Sequence, residues 1–417
     1  MRSDVPEPSA PLPQIIPRPE HSLSRKDVTV EALKVLYRLH HTGYKAYLVG
    51  GSVRDLLLGK RPKDFDIATD ARPGEIRKLF RNSRIIGRRF RLVQVFFRGG
   101  KIVEVSTFRC RSEFDDTPEG TLARNNTFGT PAEDAHRRDL TINGLFYNIA
   151  DFSLVDYVGG LADLKNGYIR VIGEPGVRFQ RDPVRMLRVL RHAARTGFTI
   201  DPAAWQEILA KGHLISLCPA SRLRDELSKD FHSGAARPFF SLMFTSSLFY
   251  AIFPGWSSRL GQSGEKGLLE LLGRVDILTK AERPLSESLL WALFLTPYLE
   301  GESLPENLKE RRDLIQNKVR EALGAIEFPR QRQEEVSQLL TVASAILPHP
   351  GQKRPLPARL TRLAAFPEAM RLQQIKTAPL EELLERIPQE EIPPPVRRGK
   401  RRRPRRRFRG HRRPPGP

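Results

Sequence analysis

Residues 48–69 read LVGGSVRDLLLGKRPKDFDIAT, and this stretch decides the fold of the first half of the chain. A glycine pair, Gly50 and Gly51, leads into a short helix that is followed by an apolar strand. Asp64 and Asp66 lie two residues apart on that strand, so their side chains share one face, about 7 Å apart along it. Two such carboxylates can hold divalent metal in front of a loop whose backbone N–H groups bind phosphate. The stretch therefore predicts nucleotide transfer at a site with two Mg²⁺ ions.

The chain as a whole is strongly basic. Its 417 residues carry a formal net charge of +22, and the sequence pI is near 10.4. Residues 397–417 contain twelve Lys or Arg and no acidic residue, so the rest of the chain still carries +10. Because the basic balance does not depend on the tail, it indicates a polyanionic partner such as nucleic acid for the folded part as well.

Cysteine usage and apolar runs predict a cytoplasmic protein without a transmembrane segment. Cys110 and Cys218 lie far apart and belong to no CxxC or Cys/His cluster, so no zinc site or disulfide framework is predicted. The N-terminal residues MRSDVPEPSAPLPQ contain no apolar signal core. The most apolar run, Leu289–Leu295, is far too short to span a bilayer.

Apolar periodicity and turn residues predict an α/β head. We expect Ser52 to cap a short helix that Gly59 ends, and Gly99 and Gly100 to turn a hairpin. Residues 110–131 are polar and predict a loop. The predicted helices of this part are 28–39, 52–58 and 133–148, and the predicted strands are 46–49, 64–69, 90–97, 102–108 and 154–158.

From Phe179 onward the pattern is almost wholly helical, with no further strand-like alternation. The periodic apolar segments are 182–198, 203–210, 221–231, 235–248, 265–280, 284–298, 304–323 and 331–346. An α/β head followed by an all-α body is the architecture that this order predicts.

Three motifs together resemble one known family. They are GGSVRD…DFDIAT in the opening stretch, RRDLTINGL at 137–145 and RDPVRMLRVLRHAARTGF at 181–198. They are similar to the class II nucleotidyltransferases of the polymerase β superfamily, which include CCA-adding tRNA nucleotidyltransferases and bacterial poly(A) polymerases. The resemblance implies an α+β fold, in which a polymerase β-like head with a mixed sheet precedes an all-α neck and body and a disordered basic tail.

The resemblance also implies a division of the chain into domains. The expected parts are a disordered arm at 1–26, a catalytic head at 27–178, a nucleotide-recognition neck at 179–232, an RNA-binding body at 233–392 and a disordered Arg-rich tail at 393–417.

The family's roles can be placed on matching residues. Asp64 and Asp66 would hold catalytic Mg²⁺. Apart from the resemblance, Glu104 lies on the second strand of the predicted hairpin and is expected to be a third acidic group near the aspartates, or to pair with Arg109 or Arg111. The residues implied to bind the nucleotide are Gly50, Gly51, Arg54, Arg138, Asp139, Asn143, Asp182 and Arg185. Arg54 could instead pair with Asp55.

Asp182 and Arg185 are expected to recognise the base. They lie three residues apart on one helix face, where they could also form an intrahelical salt bridge worth only a few tenths of a kcal/mol. In the family such a pair serves as a protein template. The neck motif resembles SRLRDELSK at 221–229, in which Arg222 and Glu226 match and Ser221 replaces the usual Glu. These residues would orient the templating helix.

Two features resemble poly(A) polymerases more than CCA-adding enzymes. Arg181 precedes the templating Asp, where CCA-adding enzymes usually have Glu. The segment IIGRRFRLVQV at 85–95 resembles a poly(A) polymerase hallmark, with Gln94 in place of the usual His. Arg88, Arg89 and Arg91 of this segment would contact RNA or reposition the templating helix.

The C-terminal tail is almost purely cationic and predicts RNA binding through phosphate neutralisation, without sequence readout. Its central arginines are Arg401, Arg402, Arg403, Arg405, Arg406 and Arg407. The whole pattern predicts a template-independent polynucleotide adenylyltransferase that uses ATP and RNA 3′ ends in RNA processing and decay. The alternatives are a CCA-adding or A-adding tRNA nucleotidyltransferase and, from another class, a non-catalytic RNA-binding protein.

Overall fold

The computed structural model describes residues 12–87, 91–110, 128–346 and 358–387. Several predictions fall outside these ranges. They concern most of the 110–131 loop, the tail at 393–417, and the residues Arg88, Arg89, Arg111, Arg401, Arg402, Arg403, Arg405, Arg406 and Arg407.

The head is built on an eight-stranded mixed sheet, as expected. Its strands are β1 (Gln14–Ile16), β2 (Ala46–Val49), β3 (Asp66–Thr69), β4 (Ser83–Ile86), β5 (Leu92–Phe96), β6 (Ile102–Thr107), β7 (Leu145–Asn148) and β8 (Leu154–Asp156). They are ordered β1-β8-β7-β2-β3-β6-β5-β4. Within this sheet β3 and β6 are parallel, and the other neighbouring strands are antiparallel.

One row of the sheet brings polar side chains into line. Asp66 of β3 lies opposite Glu104 of β6, and Glu104 lies opposite Gln94 of β5. The row continues to Arg84 of β4, and on the other side of Asp66 it reaches Val49 of β2. Neighbouring strands lie about 4.8 Å apart, so the parallel pairing places two acidic residues from distant parts of the sequence side by side.

The two faces of the sheet are covered differently. The helices α1 (Val30–His41) and α3 (Pro73–Leu79) pack against one face and enclose its apolar residues in the main core. The other face carries a smaller cluster around Phe108 and Phe146, which includes Ala68 and the Ala135 side chain of α4 (Pro131–Arg137). Since side chains alternate along a strand, Asp66 shares the face of Ala68.

The rest of the described chain is helical except for one short parallel pair of strands, β9 (Tyr168–Ile169) and β10 (Thr199–Ile200). The head also contains α2 (Gly51–Leu57) and α5 (Gly160–Asn166). The later helices are α6 (Pro175–Arg181), α7 (Val184–Thr196), α8 (Pro202–Lys211), α9 (Ala220–Phe231), α10 (Ala236–Thr245), α11 (Leu248–Ile252), α12 (Ser257–Lys280), α13 (Glu287–Leu299), α14 (Leu308–Ala322), α15 (Arg330–Ile346), α16 (Ala358–Thr361), α17 (Phe366–Thr377) and α18 (Leu383–Arg386).

The helical body has an aromatic core. Phe249, Trp256 and Phe294 are fully buried and contact one another, with ring centroids 4.9–6.2 Å apart. Helix α13, which contains the most apolar run of the sequence, is buried on nearly all sides. Across the described ranges, no helix combines the length and the apolarity that crossing a membrane requires.

The predicted helix at 133–148 is wrong beyond Arg137, where α4 ends. A 3-10 turn at Thr141–Asn143 follows, and β7 begins at Leu145. The apolar residues of β7 are buried, and the strand pairs with β2 and β8 on either side. Sheet pairing in a central position therefore outweighs the helical periodicity of this segment.

Four smaller predictions also need correction. Residues 12–26 are not a disordered arm, because β1 pairs with β8 and Leu23 is buried. Ser52 does not cap α2; Gly50 occupies that position, and the Ser52 hydroxyl donates to the Val49 carbonyl at 3.0 Å. Asp64 precedes β3 rather than lying on it. A strand, β10, does return after Phe179.

Candidate active site

Two acidic residues are paired at the start of β3, and a third, Asp64, lies two residues earlier in the chain. Asp66 lies opposite Glu104, and the Gln94 amide donates to a Glu104 carboxylate oxygen at 2.8 Å. Burial of the Asp66 carboxyl and the charge of the neighbouring Glu104 raise the pKa of Asp66 to about 6, with a smaller contribution from Asp64. Glu104 is thus adjacent to Asp66, whereas the alternative partner Arg111 lies outside the described residues.

The acidic residues suit a bound cation without forming a complete coordination sphere. Adjacent carboxylates repel each other unless a cation lies between them, and this repulsion by Glu104 adds to burial, the larger cause, in raising the pKa of Asp66. In the described part of the chain, no three His, Cys, Asp or Glu side chains are grouped closely enough to hold a metal ion. A metal here would therefore take part of its coordination from substrate oxygens and water, as Mg²⁺ commonly does.

Gly50 allows a close approach to this site. Its φ is 74°, a value that L side chains rarely adopt. A Cβ atom at this position would lie 3.1 Å from Nη1 of Arg138 and 4.0 Å from Oδ2 of Asp66. The turn at Gly50 and Gly51 therefore brings backbone without side chains next to the Arg138 guanidinium and the Asp66 carboxylate, where a triphosphate could bind.

Arg138 supplies the positive charge of the site. It lies at the end of α4, donates from Nη2 to Asp134 at 3.0 Å and packs its guanidinium over the Phe146 ring at 5.1 Å. Its Nε is buried and has no hydrogen-bond partner among the described residues. The guanidinium is thus held in place yet keeps a donor unused.

Arg54 links several segments of the chain around the site. It is 9% exposed, donates from Nε and Nη2 to Asp55, and donates from Nη1 to Oδ1 of Asn143 at 2.7 Å. Nη1 also lies 3.1 Å from Nδ1 of His192 on α7. These contacts join α2, the 3-10 turn and α7, and they include the pairing of Arg54 with Asp55 that the sequence offered as an alternative. The nucleotide contact expected of Arg54 and Asn143 stays a prediction. Burial and the nearby Arg54 hold the pKa of His192 well below its usual range, so the ring is neutral.

Asp139 connects the head to the neck. Its carboxylate accepts from Nε of Arg185 at 2.8 Å and from Nη1 of Arg188. Burial opposes ionisation of Asp139, but Arg188 and Arg185 outweigh it and keep the pKa of this carboxyl below its usual range. Asp139 is therefore a fixed anion that holds the helix α7 arginines, and it is satisfied by protein groups.

Asp182 and Arg185 lie together, but each has a stronger partner than the other. Both carboxylate oxygens of Asp182 accept from Arg222 of α9 at 2.8 Å, in a bidentate pair. The distance from Nε of Arg185 to the Asp182 carboxylate is 3.9 Å. Asp182 lies in the break between α6, which ends at Arg181, and α7, which begins at Val184, so the predicted placement of both residues on one helix face is wrong. The contact between Asp182 and Arg185 is weak, and Arg222 of the neck motif holds Asp182 instead.

A buried ionic network joins α7 to α9. Arg191 donates from Nε and Nη2 to the Asp230 carboxylate, and its Nη1 and Nη2 bond the side chain and the carbonyl of Glu226. These three residues are at most 5% exposed. Burial opposes ionisation of Glu226, but Arg191 overcomes it and lowers the pKa of this carboxyl to about 2. The network fixes the two helices that carry Arg185 and Arg222.

Sequence reasoning found Arg185 but missed the other arginines of α7 and the partner of Glu104. Arg185, Arg188, Arg191 and Arg195 recur at spacings of three to four residues and form one basic face, while Glu226 and Asp230 lie four apart on α9. That complementary spacing was the available signal. The Gln94–Glu104 contact had no comparable signal, because it depends on the register between β5 and β6.

Comparisons with known proteins agree with this geometry. The model of the Poly A polymerase head domain matches residues 46–170, and that of the Probable RNA and SrmB- binding site of polymerase A matches residues 197–260. The CCA-adding enzyme of Lactobacillus gasseri is 33% identical over 286 residues, which cover 68% of this chain and 67% of that protein. The chain belongs to the family of poly(A) polymerases and CCA-adding enzymes.

Within the family, higher identity is found with poly(A) polymerase I. That of Escherichia coli O157:H7 is 45% identical over 303 residues, or 70% of this chain and 65% of that protein, and that of Salmonella typhi is 44% identical over 299 residues. The chain thus spans slightly less than two-thirds of the length of these relatives. Among solved structures, the Bacillus stearothermophilus CCA-adding enzyme in complex with CTP has a TM-score of 0.65 at 27% identity and covers 86% of this chain and 80% of that one.

Proposed function

We propose that this protein is a template-independent poly(A) polymerase, a polynucleotide adenylyltransferase that adds AMP from ATP to RNA 3′ ends and releases pyrophosphate. The observation that carries the proposal is the position of Asp66, which lies beside Glu104 and faces the Gly50 turn and Arg138. The preference for ATP over CTP is supported by Arg181 before Asp182 and by the higher identity with poly(A) polymerase I.

In this reaction the RNA 3′ oxygen forms a bond to the α-phosphorus of ATP, and the bond from that phosphorus to the pyrophosphate oxygen breaks. Mg²⁺ bound at Asp64 and Asp66 would activate the hydroxyl and neutralise charge on the leaving pyrophosphate. The backbone of Gly50 and Gly51 and the guanidinium of Arg138 would bind the triphosphate. Glu104, whose carboxylate accepts from the Gln94 amide, would accept the hydroxyl proton.

The parts of the chain would divide the work. The head at 27–178 would carry the chemistry, the neck at 179–232 would recognise adenine through Asp182 and Arg185, and the body at 233–392 would bind RNA. Arg54, Asp139 and Asn143 would keep the nucleotide-binding residues in position.

One assay separates the candidate functions. The full chain is incubated with Mg²⁺ and either an unstructured RNA or a tRNA lacking its 3′ end, with each nucleoside triphosphate supplied singly. Long ladders with ATP alone are expected. Discrete additions that need CTP would identify the chain as a CCA-adding enzyme, the alternative that its similarity to such enzymes supports. Binding of RNA without any incorporation would identify a non-catalytic RNA-binding protein.

Arg222 is expected to control nucleotide choice through Asp182. In Arg222→Gln the bidentate pair is lost and Asp182 can rotate away from the base, so KM for ATP should rise about tenfold, equivalent to about 1.4 kcal/mol. The preference for ATP over CTP should fall with it. Steady-state kinetics with each nucleotide at saturating RNA measure both changes.

The matched control for this variant is Arg224→Gln on the same helix. Arg224 bonds Asp225 and the Glu327 carbonyl instead of the templating residues. The control should keep the KM and the nucleotide preference of the native enzyme. An unchanged ATP preference in Arg222→Gln would contradict the role given to Arg222.

The basic tail is proposed to increase RNA affinity rather than turnover. Truncation after Val396 removes twelve positive charges, so RNA binding should weaken and lose much of its salt dependence. Binding isotherms at several KCl concentrations measure this effect. A lower single-turnover rate at saturating RNA would show that the tail acts on chemistry instead.

A cytoplasmic location is supported by the cysteines. Cys110 and Cys218 are both free thiols, which suits a reducing compartment. Fractionation of cells that express a tagged chain tests this placement, and recovery outside the cytosolic fraction would overturn it.

A further inference from the structure

A basic hollow lies on the head at the far end of β3 from Asp66. Its volume is about 480 Å³, within the range of ligand-binding clefts. It lies where α3 begins, where β4 ends and where β5 begins. Its lining residues are Arg72, Pro73, Gly74, Glu75, Lys78, Ile85, Arg91 and Phe128. The hollow is separate from the carboxylates of the active site.

An aromatic ring forms one wall of the hollow. Phe128 is 42% exposed, so its ring is open to a ligand. The guanidinium of Arg72 lies 5.3 Å from the centre of this ring. Exposed aromatic rings beside arginines are the platforms on which single-stranded nucleic acids stack their bases.

The charge of the hollow is complementary to phosphate. Arg72, Lys78 and Arg91 are exposed cations. The acidic residue of the lining, Glu75, accepts from the backbone N–H of Arg72 at 2.7 Å and so caps α3. In the sequence, residues 81–98, which contain the β4–β5 hairpin, have six arginines and no acidic residue. This number of cations favours a polyanion as the ligand of the hollow. A small acidic metabolite would need only one or two cations.

The location of the hollow suits a strand that leads to the active site. Thr69, at the end of β3, is three residues from Asp66, or about 10 Å along the strand, and Arg72 follows three residues later. A single strand whose 3′ end reaches Asp66 could place a base a few nucleotides upstream in the hollow.

We propose that this hollow binds single-stranded RNA upstream of the 3′ end, with a base stacked on Phe128 and phosphates bound by Arg72, Lys78 and Arg91. The direction of the RNA strand in this assignment rests on the proposed polymerase function, whereas the binding chemistry of the hollow does not. The site has no part in recognising ATP.

The test compares Phe128→Ala with Phe128→Trp. The Kd of the full chain for a fluorescein-labelled 15-nucleotide oligo(A) is measured by anisotropy without metal, and KM values for RNA and ATP are measured separately. In Phe128→Ala the Kd and the KM for RNA should rise about tenfold, as expected for loss of one stacked base. The KM for ATP and kcat at saturating RNA should not change, and Phe128→Trp should retain native affinity.

Charge variants provide the matched control. Arg72→Gln should weaken RNA binding and lower the salt dependence of Kd, whereas Arg98→Gln, an exposed arginine at the other end of the hairpin, should change Kd less than twofold. Thermal unfolding of each variant identifies loss of folding.

Each outcome decides the proposal separately from the function. Native RNA affinity in a folded Phe128→Ala variant would overturn the site, even if ATP ladders form normally. A raised KM for ATP without a change for RNA would also overturn it, because the hollow would then take free nucleotide. If the native chain fails to incorporate nucleotide while the Kd effects persist, the polymerase function fails and the RNA site stands.

Discussion

Asp66→Asn is expected to lower kcat for AMP incorporation by about 10³-fold or more, equivalent to about 4 kcal/mol of transition-state stabilisation. Asparagine keeps the shape of the side chain but removes the charge that would hold Mg²⁺ beside Glu104. The measurement is single-turnover extension of a short RNA with saturating ATP. Asp70→Asn is the matched control, because Asp70 follows the same strand at its opposite end and accepts from the Lys45 backbone N–H. Incorporation within tenfold of the native rate would contradict the catalytic role of Asp66.

The same variant has an expected effect on pH dependence. The folded pKa of Asp66 is about 6, above the value near 3.9 of an unfolded chain. Between about pH 4 and pH 6 the native state therefore binds more protons than the unfolded state, and the metal-free protein loses stability as pH rises. More than a third of Asp66 is open to solvent, so this loss is small. Asp66→Asn should remove it.

Added Mg²⁺ distinguishes the effect of the Asp66 charge on stability from the proposed role of Asp66 as a metal ligand. At pH 7.5, MgCl₂ should raise the Tm of the native protein, because a ligand that binds only the folded state stabilises it. Asp66→Asn should unfold at a similar temperature to the native protein without metal, and added MgCl₂ should raise its Tm less. An equal Mg²⁺ response in both proteins would place the metal elsewhere.

The largest expected effect on stability comes from Arg191→Met. The substitution removes the buried cation that Glu226 and Asp230 share and leaves them with the more exposed Arg188, Lys229 and Arg195. Loss of a buried partner of this kind costs about 3–5 kcal/mol of unfolding free energy. Urea denaturation followed by circular dichroism measures the change. Arg191→Lys should lie between the two, because it keeps the charge but loses the bidentate geometry.

Arg330→Met is the control for this effect. Arg330 pairs with Glu334 across one turn of α15, but its side chain is 90% exposed, so its loss should cost less than about 1 kcal/mol. A change for Arg191→Met as small as that of the control would mean that the network adds little to the stability of the α7–α9 contact.

Local patterns predicted the parts of the molecule that depend on neighbouring residues. The strand at 46–49 and the hairpin around Gly99 follow from alternation and turn residues, and the helices of the body follow from their apolar periodicity. The helix predicted at 133–148 failed where Leu145–Asn148 enters the middle of the sheet. Periodicity cannot report which distant strands will flank a segment.

The sequence by itself determined which residues are candidates for the proposed chemistry. Gly50, Gly51, Asp64 and Asp66 lie within one short stretch, and their spacing alone predicted a glycine turn near two carboxylates. Only the tertiary structure decided what surrounds them. Glu104 reaches Asp66 because β3 and β6 pair in parallel, and Asp182 is held by Arg222 from a helix forty residues later in the chain. Those contacts depend on strand register and helix packing, which arise when distant segments bury a common core and which no local spacing encodes.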